Sequence, residues 1–191
     1  MTNIFTLANL LTFLRILLIA PFLYLIHQGR FGAALLIFFI ASVTDFFDGY
    51  VARKFNQQSK LGQTLDPAAD KILTTASFIV MALPRANFPS IPVWLAIAVV
   101  GRDAVILLGS AIVYALTKFK EFKPTTSGKV NTFLELGLIV WFLWFNWMDR
   151  FTFILPLCYL IVLSSVLSSG TSYILQGARI LVEHRMTKKA A

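Results

Sequence analysis

The sequence has little charge for its length, and acidic residues are especially scarce. Only 14% of its 191 residues are charged, with 9 acidic against 17 basic side chains, while 58% are hydrophobic. Soluble domains have about 25% charged and about 45–50% apolar residues. The composition therefore excludes an ordinary soluble domain and a disordered chain. The single cysteine, Cys158, lies in an apolar run and excludes a disulfide scaffold.

Long apolar stretches dominate the chain instead. A helix that crosses a bilayer needs about 20 mostly apolar residues. Six stretches meet this requirement: 8–27, 32–52, 66–84, 91–117, 130–148 and 152–178. Polar loops with turn-forming residues separate them, and no internal repeat is visible. We therefore predict an all-α polytopic membrane protein, with six transmembrane helices that form one domain over residues 1–191.

Basic residues are distributed unevenly between the loops. The loops after the second and fourth stretches and a basic tail at about 183–191 hold Arg53, Lys54, Lys60, Lys118, Lys120, Lys123, Arg185, Lys188 and Lys189. The opposite loops hold only Arg30, Arg85 and Arg150. The positive-inside rule then places both termini in the cytoplasm. In such a protein the net charge of +8 indicates orientation and contact with anionic membrane lipids, and no nucleic-acid partner is expected.

Two pairs of aspartates lie near the cytoplasmic ends of the second and third predicted helices. Asp45 and Asp48 are three residues apart, and Asp66 and Asp70 are four apart, so each pair shares a helix face. Oxygen ligands without His or Cys select Mg²⁺, Mn²⁺ or Ca²⁺. Four carboxylates suit two ions that clamp a phosphate during in-line displacement. We therefore expect an active site for phosphoryl transfer at the cytoplasmic side of the bundle.

A simpler interpretation is that the aspartates pair with nearby lysines and arginines as interfacial charges. Against it, Gly49 and Gly62 accompany the aspartates, although glycine weakens a helix. Bare backbone at these positions leaves space for a flat ligand. Arg53 follows one turn after Gly49 and could contact a phosphate. The combination favours a ligand site over surface charges.

Other polar residues fall at mid-depth or toward the cytoplasm, which predicts one wet cavity. Arg102 and Asp103 lie near the middle of the fourth helix, where charge is costly and tends to be functional. The serines of the sixth helix are interpreted as helix-packing contacts: Ser164, Ser165, Ser168 and Ser169. An ion-coupled transporter is the alternative from another class, but the inverted repeats and broken helices typical of transporters are not visible.

The aspartate pairs belong to a longer pattern. Residues 45–53 read DFFDGYVAR, and after eight further residues 62–70 read GQTLDPAAD. This pattern resembles the complete signature of the CDP-alcohol phosphatidyltransferases. The resemblance implies an enzyme of phospholipid biosynthesis that moves a phosphatidyl group from CDP-diacylglycerol to an alcohol and releases CMP. It also implies two Mg²⁺ or Mn²⁺ ions, a homodimer and a location in the bacterial inner membrane.

The resemblance gives the signature residues their roles. Asp45, Asp48 and Asp66 would bind metal. Asp70 would bind metal and also remove the proton from the acceptor hydroxyl as the catalytic base. The nucleotide-diphosphate part of CDP-diacylglycerol would be contacted by Asn9, Gly49, Ala52, Arg53, Ser59 and Gly62.

Two acceptor alcohols are the leading candidates, and an inositol phosphate or serine is the less favoured alternative. The opening NLLTFLR at 9–15 is similar to bacterial phosphatidylglycerophosphate synthases, which use glycerol 3-phosphate. Arg102-Asp103, KPT at 123–125 and KVNT at 129–132 resemble the cardiolipin synthases of the same family, which use phosphatidylglycerol. Arg102 and Lys129 are the candidates to bind the acceptor. Two cations typical of the first group are absent. We place glycerol 3-phosphate slightly ahead, because that activity is the commoner one among bacterial chains of this kind.

Overall fold

The computed structural model describes the backbone of residues 7–54, 60–84, 89–117 and 125–190. Side chains are described over these ranges except at 7–13, 15, 44–54, 60–70, 183–185 and 187–190. The elements are α1 (Leu7–His27), α2 (Phe31–Lys54), α3 (Lys60–Ala82), α4 (Val93–Thr117), α5 (Thr126–Met148) and α6 (Leu155–Ala190), with a 3-10 helix at Thr152–Ile154. No strand occurs in the described ranges, so the all-α prediction is confirmed.

Three segments are long and apolar enough to cross a membrane, namely Val93–Thr117, Thr126–Met148 and Thr152–Val182. Where side chains of α1, α2 and α3 are described, the apolar segments are shorter: Ile16–His27, Phe31–Val43 and Lys71–Ala82. Large apolar side chains are exposed on both the longer and the shorter apolar helices, for example Phe39 in α2, Ile97 and Leu107 in α4, and Phe133 in α5. Extended apolar surface of this kind is typical of contact with lipid. The chain is therefore an integral membrane protein, and the predicted number of six spans remains a prediction.

Several helices extend beyond the predicted spans. α3 begins at Lys60 rather than at 66, α5 begins at Thr126 rather than at 130, and α6 continues to Ala190 rather than ending at 178. The thickness of the hydrocarbon layer limits an apolar stretch, whereas backbone hydrogen bonding continues into polar flanks. The basic tail predicted at 183–191 is therefore helical as far as Ala190.

The described helices form two compact units, and the first comprises α1, α2, α3 and the part of α5 from Ile139 onward. Within it, α1 packs against both α2 and α3. The rings of Phe22 and Phe38 lie 5.7 Å apart, and those of Phe31 and Phe142 meet edge to face at 5.9 Å. Aromatic pairs contribute about 0.5–1.5 kcal/mol each beyond the area that they bury. They hold α2 between α1 and the end of α5.

The turn between α1 and α2 is closed by a left-handed glycine. The Gly29 N–H donates to the Ile26 carbonyl at 3.0 Å, and the Arg30 N–H donates to the Leu25 carbonyl at 2.9 Å. This pair of bonds satisfies carbonyls at the end of a helix when the residue after it is left-handed. Gly29 has a φ of 70°, which glycine adopts without a clash from a Cβ.

The second unit comprises α4, the part of α5 up to Leu138, and α6. In this unit α4 packs against α6. Arg102 contacts Ser169, and a Cβ added at Gly177 would lie 3.6 Å from Cγ2 of Val113. Residue numbers rise together along both helices, so α4 and α6 run in the same direction.

Candidate active site

The four signature aspartates lie on two helices of the first unit. Asp45 and Asp48 lie in α2, and Asp66 and Asp70 lie in α3. The helical backbone confirms that each pair shares one face of its helix. α1 contacts both of these helices. The four side chains lie outside the described residues, and their role as metal ligands remains a prediction.

The chemistry of this donor set fits a hard divalent cation. Four carboxylates offer only oxygen ligands, which Mg²⁺ and Mn²⁺ prefer over sulfur or imidazole. Among side chains that the structure describes, no group of three or more His, Cys, Asp or Glu is placed to hold a metal ion. The aspartates of α2 and α3 are the candidate ligands for the metal ions on which this family generally depends, because they offer only oxygen donors.

The predicted nucleotide-binding residues also fall on the first three helices. Asn9 lies in α1, Gly62 lies in α3, and three others lie in α2. Asp45, Gly49 and Arg53 follow one another at intervals of four residues, so they form one row along α2. Ala52 lies one turn after Asp48. Ser59 lies outside the described residues, as do the side chains of the other predicted nucleotide-binding residues.

In the second unit, the Arg102 guanidinium is buried and held on several sides. Its Nη1 donates to Oδ1 of Asp103 at 2.8 Å, and its Nη2 and Nε donate to Oγ of Ser169 at 2.5 and 3.2 Å. The Cζ atom lies 5.7 Å from the centroid of the Tyr173 ring, within the range of a cation–π contact. A buried charge is tolerated when it is paired and hydrogen-bonded. The charge of Arg102 is therefore compensated within its own unit.

Tyr173 also contacts the beginning of α5. A Cβ added at Gly128 would lie 3.0 Å from both Cε2 and the phenol oxygen of Tyr173. The missing side chain of Gly128 thus lets the tyrosine approach α5 closely. Lys129 is the next residue, and it is exposed. The structure places Arg102 and the helix start that carries Lys129 against the same tyrosine.

Two fully buried polar residues follow on α5. Nδ2 of Asn131 donates to Oε1 of Glu135 at 2.7 Å. Oδ1 of Asn131 is buried, and within the described part of the chain it accepts no hydrogen bond. A buried amide oxygen without a donor costs free energy, and a hydroxyl group of a ligand would remove that cost. Asn131 is therefore an additional candidate for contact with substrate.

Sequence reasoning did not identify Ser169 and Tyr173 as partners of Arg102. The serines of α6 are expected to make packing contacts between helices. Ser169 does contact α4, but its hydroxyl accepts hydrogen bonds from the guanidinium of Arg102. One feature of the sequence could have indicated these partners: Ser169 and Tyr173 are four residues apart, so both lie on one face of α6. The sequence does not show that this face meets Arg102, which lies 67 residues before Ser169.

Comparisons with known proteins agree on one family. Residues 5–183 match the family model described as CDP-alcohol phosphatidyltransferase. The chain is 40% identical over 154 residues to a cardiolipin synthase (CMP-forming) / mitochondrial hydrolase fusion protein of Schizosaccharomyces pombe, an alignment that covers 72% of this chain and 25% of the fusion protein.

Two bacterial relatives align over most of their own length. The chain is 36% identical over 146 residues to the CDP-diacylglycerol–glycerol-3-phosphate 3-phosphatidyltransferase of Escherichia coli K12. It is 36% identical over 145 residues to the protein of the same name from Salmonella choleraesuis. Both alignments cover 73% of this chain and 78% of the relative. Because the family model spans nearly all of the sequence, this membrane protein belongs to the CDP-alcohol phosphatidyltransferase family.

Proposed function

We propose that this phosphatidyltransferase uses phosphatidylglycerol as its acceptor, so that CDP-diacylglycerol and phosphatidylglycerol yield cardiolipin and CMP. The observation that carries the choice of acceptor is the ion pair between Arg102 and Asp103, at 2.8 Å in a buried environment. Because Asp103 compensates Arg102, this pair adds no net positive charge to the second unit. Family membership favours this enzyme over the ion-coupled transporter.

The charge of the acceptor explains why the ion pair matters. A phosphate monoester such as glycerol 3-phosphate carries a charge of about −1.5 to −2 at neutral pH. Burying such a group requires cations that are not already neutralised. Phosphatidylglycerol has a phosphodiester with a single charge, and the part that reacts is a neutral glycerol group. The buried Oδ1 of Asn131 suits a hydroxyl donor of that kind.

Glycerol 3-phosphate is the second candidate acceptor. The sequence places it slightly ahead, and the two bacterial relatives at 36% identity carry it in their names. Lys129 is exposed and supplies an ammonium group near the start of α5, which favours an anionic acceptor. Under this alternative, Lys129 and Arg102 together would bind the phosphate of glycerol 3-phosphate.

In the proposed reaction, Asp70 takes the proton from the acceptor hydroxyl. The hydroxyl oxygen forms a bond to the phosphorus of the phosphatidyl group, and the bond from this phosphorus to the oxygen of CMP breaks. Asp45, Asp48, Asp66 and Asp70 would hold the two divalent ions, which neutralise the diphosphate and the departing CMP when bound. The row of Gly49 and Arg53 on α2 would receive the nucleotide part of the donor.

One assay separates the two acceptors. Purified full-length protein receives CDP-diacylglycerol labelled in its acyl chains, with either phosphatidylglycerol or glycerol 3-phosphate, and the labelled lipid is identified by mass spectrometry. We expect cardiolipin to form at least about tenfold faster than phosphatidylglycerophosphate, a difference of about 1.4 kcal/mol in barrier height. Faster formation of phosphatidylglycerophosphate would overturn the choice of phosphatidylglycerol. Reactions without any acceptor measure background hydrolysis.

The proposal also covers assembly and location. We propose a homodimer in the bacterial inner membrane, with both termini and the aspartate pairs on the cytoplasmic side. The distribution of basic residues between loops supports this orientation. The bacterial relatives support the cellular location.

A further inference from the structure

An apolar groove lies between α4 and α6 in the second unit. It has a volume of about 290 Å³ and is lined by Val105, Ile106, Ile112, Val113, Ile174 and Leu181, together with small residues and Tyr173. Both helices are long apolar segments of the kind that cross a membrane. The groove is therefore a lipid-facing feature, and the medium available to fill it is acyl chain.

The groove has open space beside a glycine of α4. Gly109 of α4 and Gly177 of α6 both line the groove. A Cβ added at Gly109 would meet no atom within 4 Å, so the space beside it is empty of protein. Small residues in membrane helices usually let two helices come together. At Gly109 the helices leave a gap instead, and its apolar lining lacks packing partners unless a ligand occupies it.

The direction of the helices places basic residues at one end of this groove. Tyr173 lines one end, and Leu181 lines the other, toward the C-terminal ends of α4 and α6. Arg185 and Lys188 follow Leu181 by four and seven residues in the same helix, so both positions lie on the face of α6 that lines the groove. They lie about 6 and 10 Å beyond Leu181 along the helix axis. Glu183 falls on the opposite side of α6.

We infer that this groove, defined by Val105–Val113 and Tyr173–Leu181, binds one acyl chain of an anionic phospholipid. The chain lies along α4 and α6, and the negatively charged headgroup lies at the turns of α6 that carry positions 185 and 188, which are occupied by arginine and lysine. Cationic residues next to a membrane surface attract anionic headgroups, whereas a zwitterionic headgroup carries no net charge to attract. Phosphatidylglycerol is the anionic lipid to which the inference commits. The inferred headgroup position is at the Leu181 end of the groove, whereas the acceptor candidates Arg102 and Lys129 lie at the Tyr173 end, so the Arg185 and Lys188 variants described below separate a bound lipid from the acceptor.

Photocrosslinking tests the inference on the full-length protein in vesicles of phosphatidylcholine. The probe is phosphatidylglycerol with a diazirine in one acyl chain, and phosphatidylcholine with the same chain is the headgroup control. Labelled peptides are mapped by mass spectrometry without CDP-diacylglycerol. We expect labelling in 105–113 and 173–181, at least about fivefold stronger with the phosphatidylglycerol probe. Equal labelling by the two probes would overturn the inference.

Substitutions at two glycines of α4 test whether the acyl chain occupies the groove. Gly109→Leu fills the groove and should reduce labelling of these segments at least about fivefold, because the added side chain occupies the site of the acyl chain. Gly101→Leu is the matched control: Gly101 lies on the same helix, also has open space at its Cβ, and does not line the groove. It should change labelling by less than about twofold. Unchanged labelling in Gly109→Leu would contradict the inference.

Two further variants test the acyl-chain site and the headgroup site separately. Ala178→Leu fills the groove from α6 and replaces Gly109→Leu if that variant does not fold. The double variant Arg185→Gln/Lys188→Gln should bring the labelling ratio of the two probes close to one, since it removes the cations that select the headgroup. A ratio that stays high would contradict the assignment of the headgroup. A different pair of results would assign the groove to a second copy of the chain and overturn the inference. In that case the wild-type protein is labelled only in other segments, and the Gly109→Leu variant no longer forms dimers.

Discussion

At the scale of single residues, the charge of Arg102 depends on a hydroxyl group from another helix. Ser169 accepts hydrogen bonds from two guanidinium nitrogens and is fully buried. Hydrogen bonds to charged groups contribute about 1.5–3 kcal/mol. Without Ser169, the guanidinium would keep Asp103 as a partner and would be free to turn. Ser169 is therefore a positioning residue for Arg102.

We predict that Ser169→Ala raises the KM for the acceptor about tenfold and changes the KM for CDP-diacylglycerol by less than about twofold, in line with the loss of one charged hydrogen bond. Steady-state kinetics with each substrate varied in turn measures both constants. Ser164→Ala is the control, because Ser164 is exposed and, among the residues that the structure describes, its hydroxyl donates to the carbonyl of Ile161 in its own helix. Equal changes in both KM values would assign Ser169 a purely structural role.

Asp70 gives the second prediction at this scale. Asp70→Asn removes the proposed base but keeps the size of the side chain, so we expect kcat to fall at least about a hundredfold, the lower range for general base catalysis. Binding of CDP-diacylglycerol, measured separately by calorimetry, should persist. Asp149→Asn is the control, because Asp149 is exposed and asparagine tolerates its left-handed φ of 49°. Turnover near the wild-type rate in Asp70→Asn would refute the assignment of the base.

The sequence predicts the four aspartates as candidate ligands, whereas it did not predict the partners of Arg102. Asp45, Asp48, Asp66 and Asp70 are recognisable because their spacing and their cost within a membrane are local properties of the chain. The contact between Arg102 and Ser169 joins residues 67 positions apart, so it depends on which helices pack together. Spacing along one helix carries no information about that choice.

At the scale of secondary structure, the turn after α1 depends on one glycine. We predict that Gly29→Ala destabilises the protein by about 1 kcal/mol, because a Cβ is disfavoured in the left-handed conformation. Thermal unfolding in detergent should show a lower midpoint. Gly101→Ala is the control, since Gly101 is helical with open space at its Cβ, and alanine should leave stability unchanged or raise it. A midpoint that does not fall in Gly29→Ala would contradict the proposed strain.

The positions of the helices followed from hydropathy, as did the ends of α1, α4 and α5, but several other boundaries did not. The sequence predicted all six helices, yet α3 and α5 start earlier and α6 ends later than expected. Hydropathy detects only the part of a helix that lies in lipid. The end of α5 at Met148 coincides with the predicted boundary. The turn that follows contains left-handed conformations at Asp149 and Phe151, with φ values of 49° and 60°. Aspartate is enriched among non-glycine residues in this region, whereas phenylalanine is unusual there, so the identity of Phe151 gives no signal.

At the scale of the whole molecule, the expected metal ions lead to a prediction about chelation. We expect EDTA to reduce activity at least about a hundredfold, and Mg²⁺ or Mn²⁺ to restore it, because four carboxylates repel one another without cations and the diphosphate loses its counter-charge. Direct measurement of Mn²⁺ binding by electron paramagnetic resonance gives a second readout, and Asp45→Asn should weaken that binding. Activity that resists the chelator would contradict the metal assignment.

The pairing of Arg102 with its neighbour in the chain bears on how the protein enters the membrane during synthesis. α4 leaves the ribosome well before α6, so at that moment Ser169 and Tyr173 do not yet exist to receive the guanidinium. Asp103 lies in the same helix and already provides a counter-charge at 2.8 Å. A helix that brings its own counter-charge is less costly to insert than one with a lone cation. Asp103→Asn should therefore lower the fraction of α4 that inserts, even in a truncated chain that lacks α6.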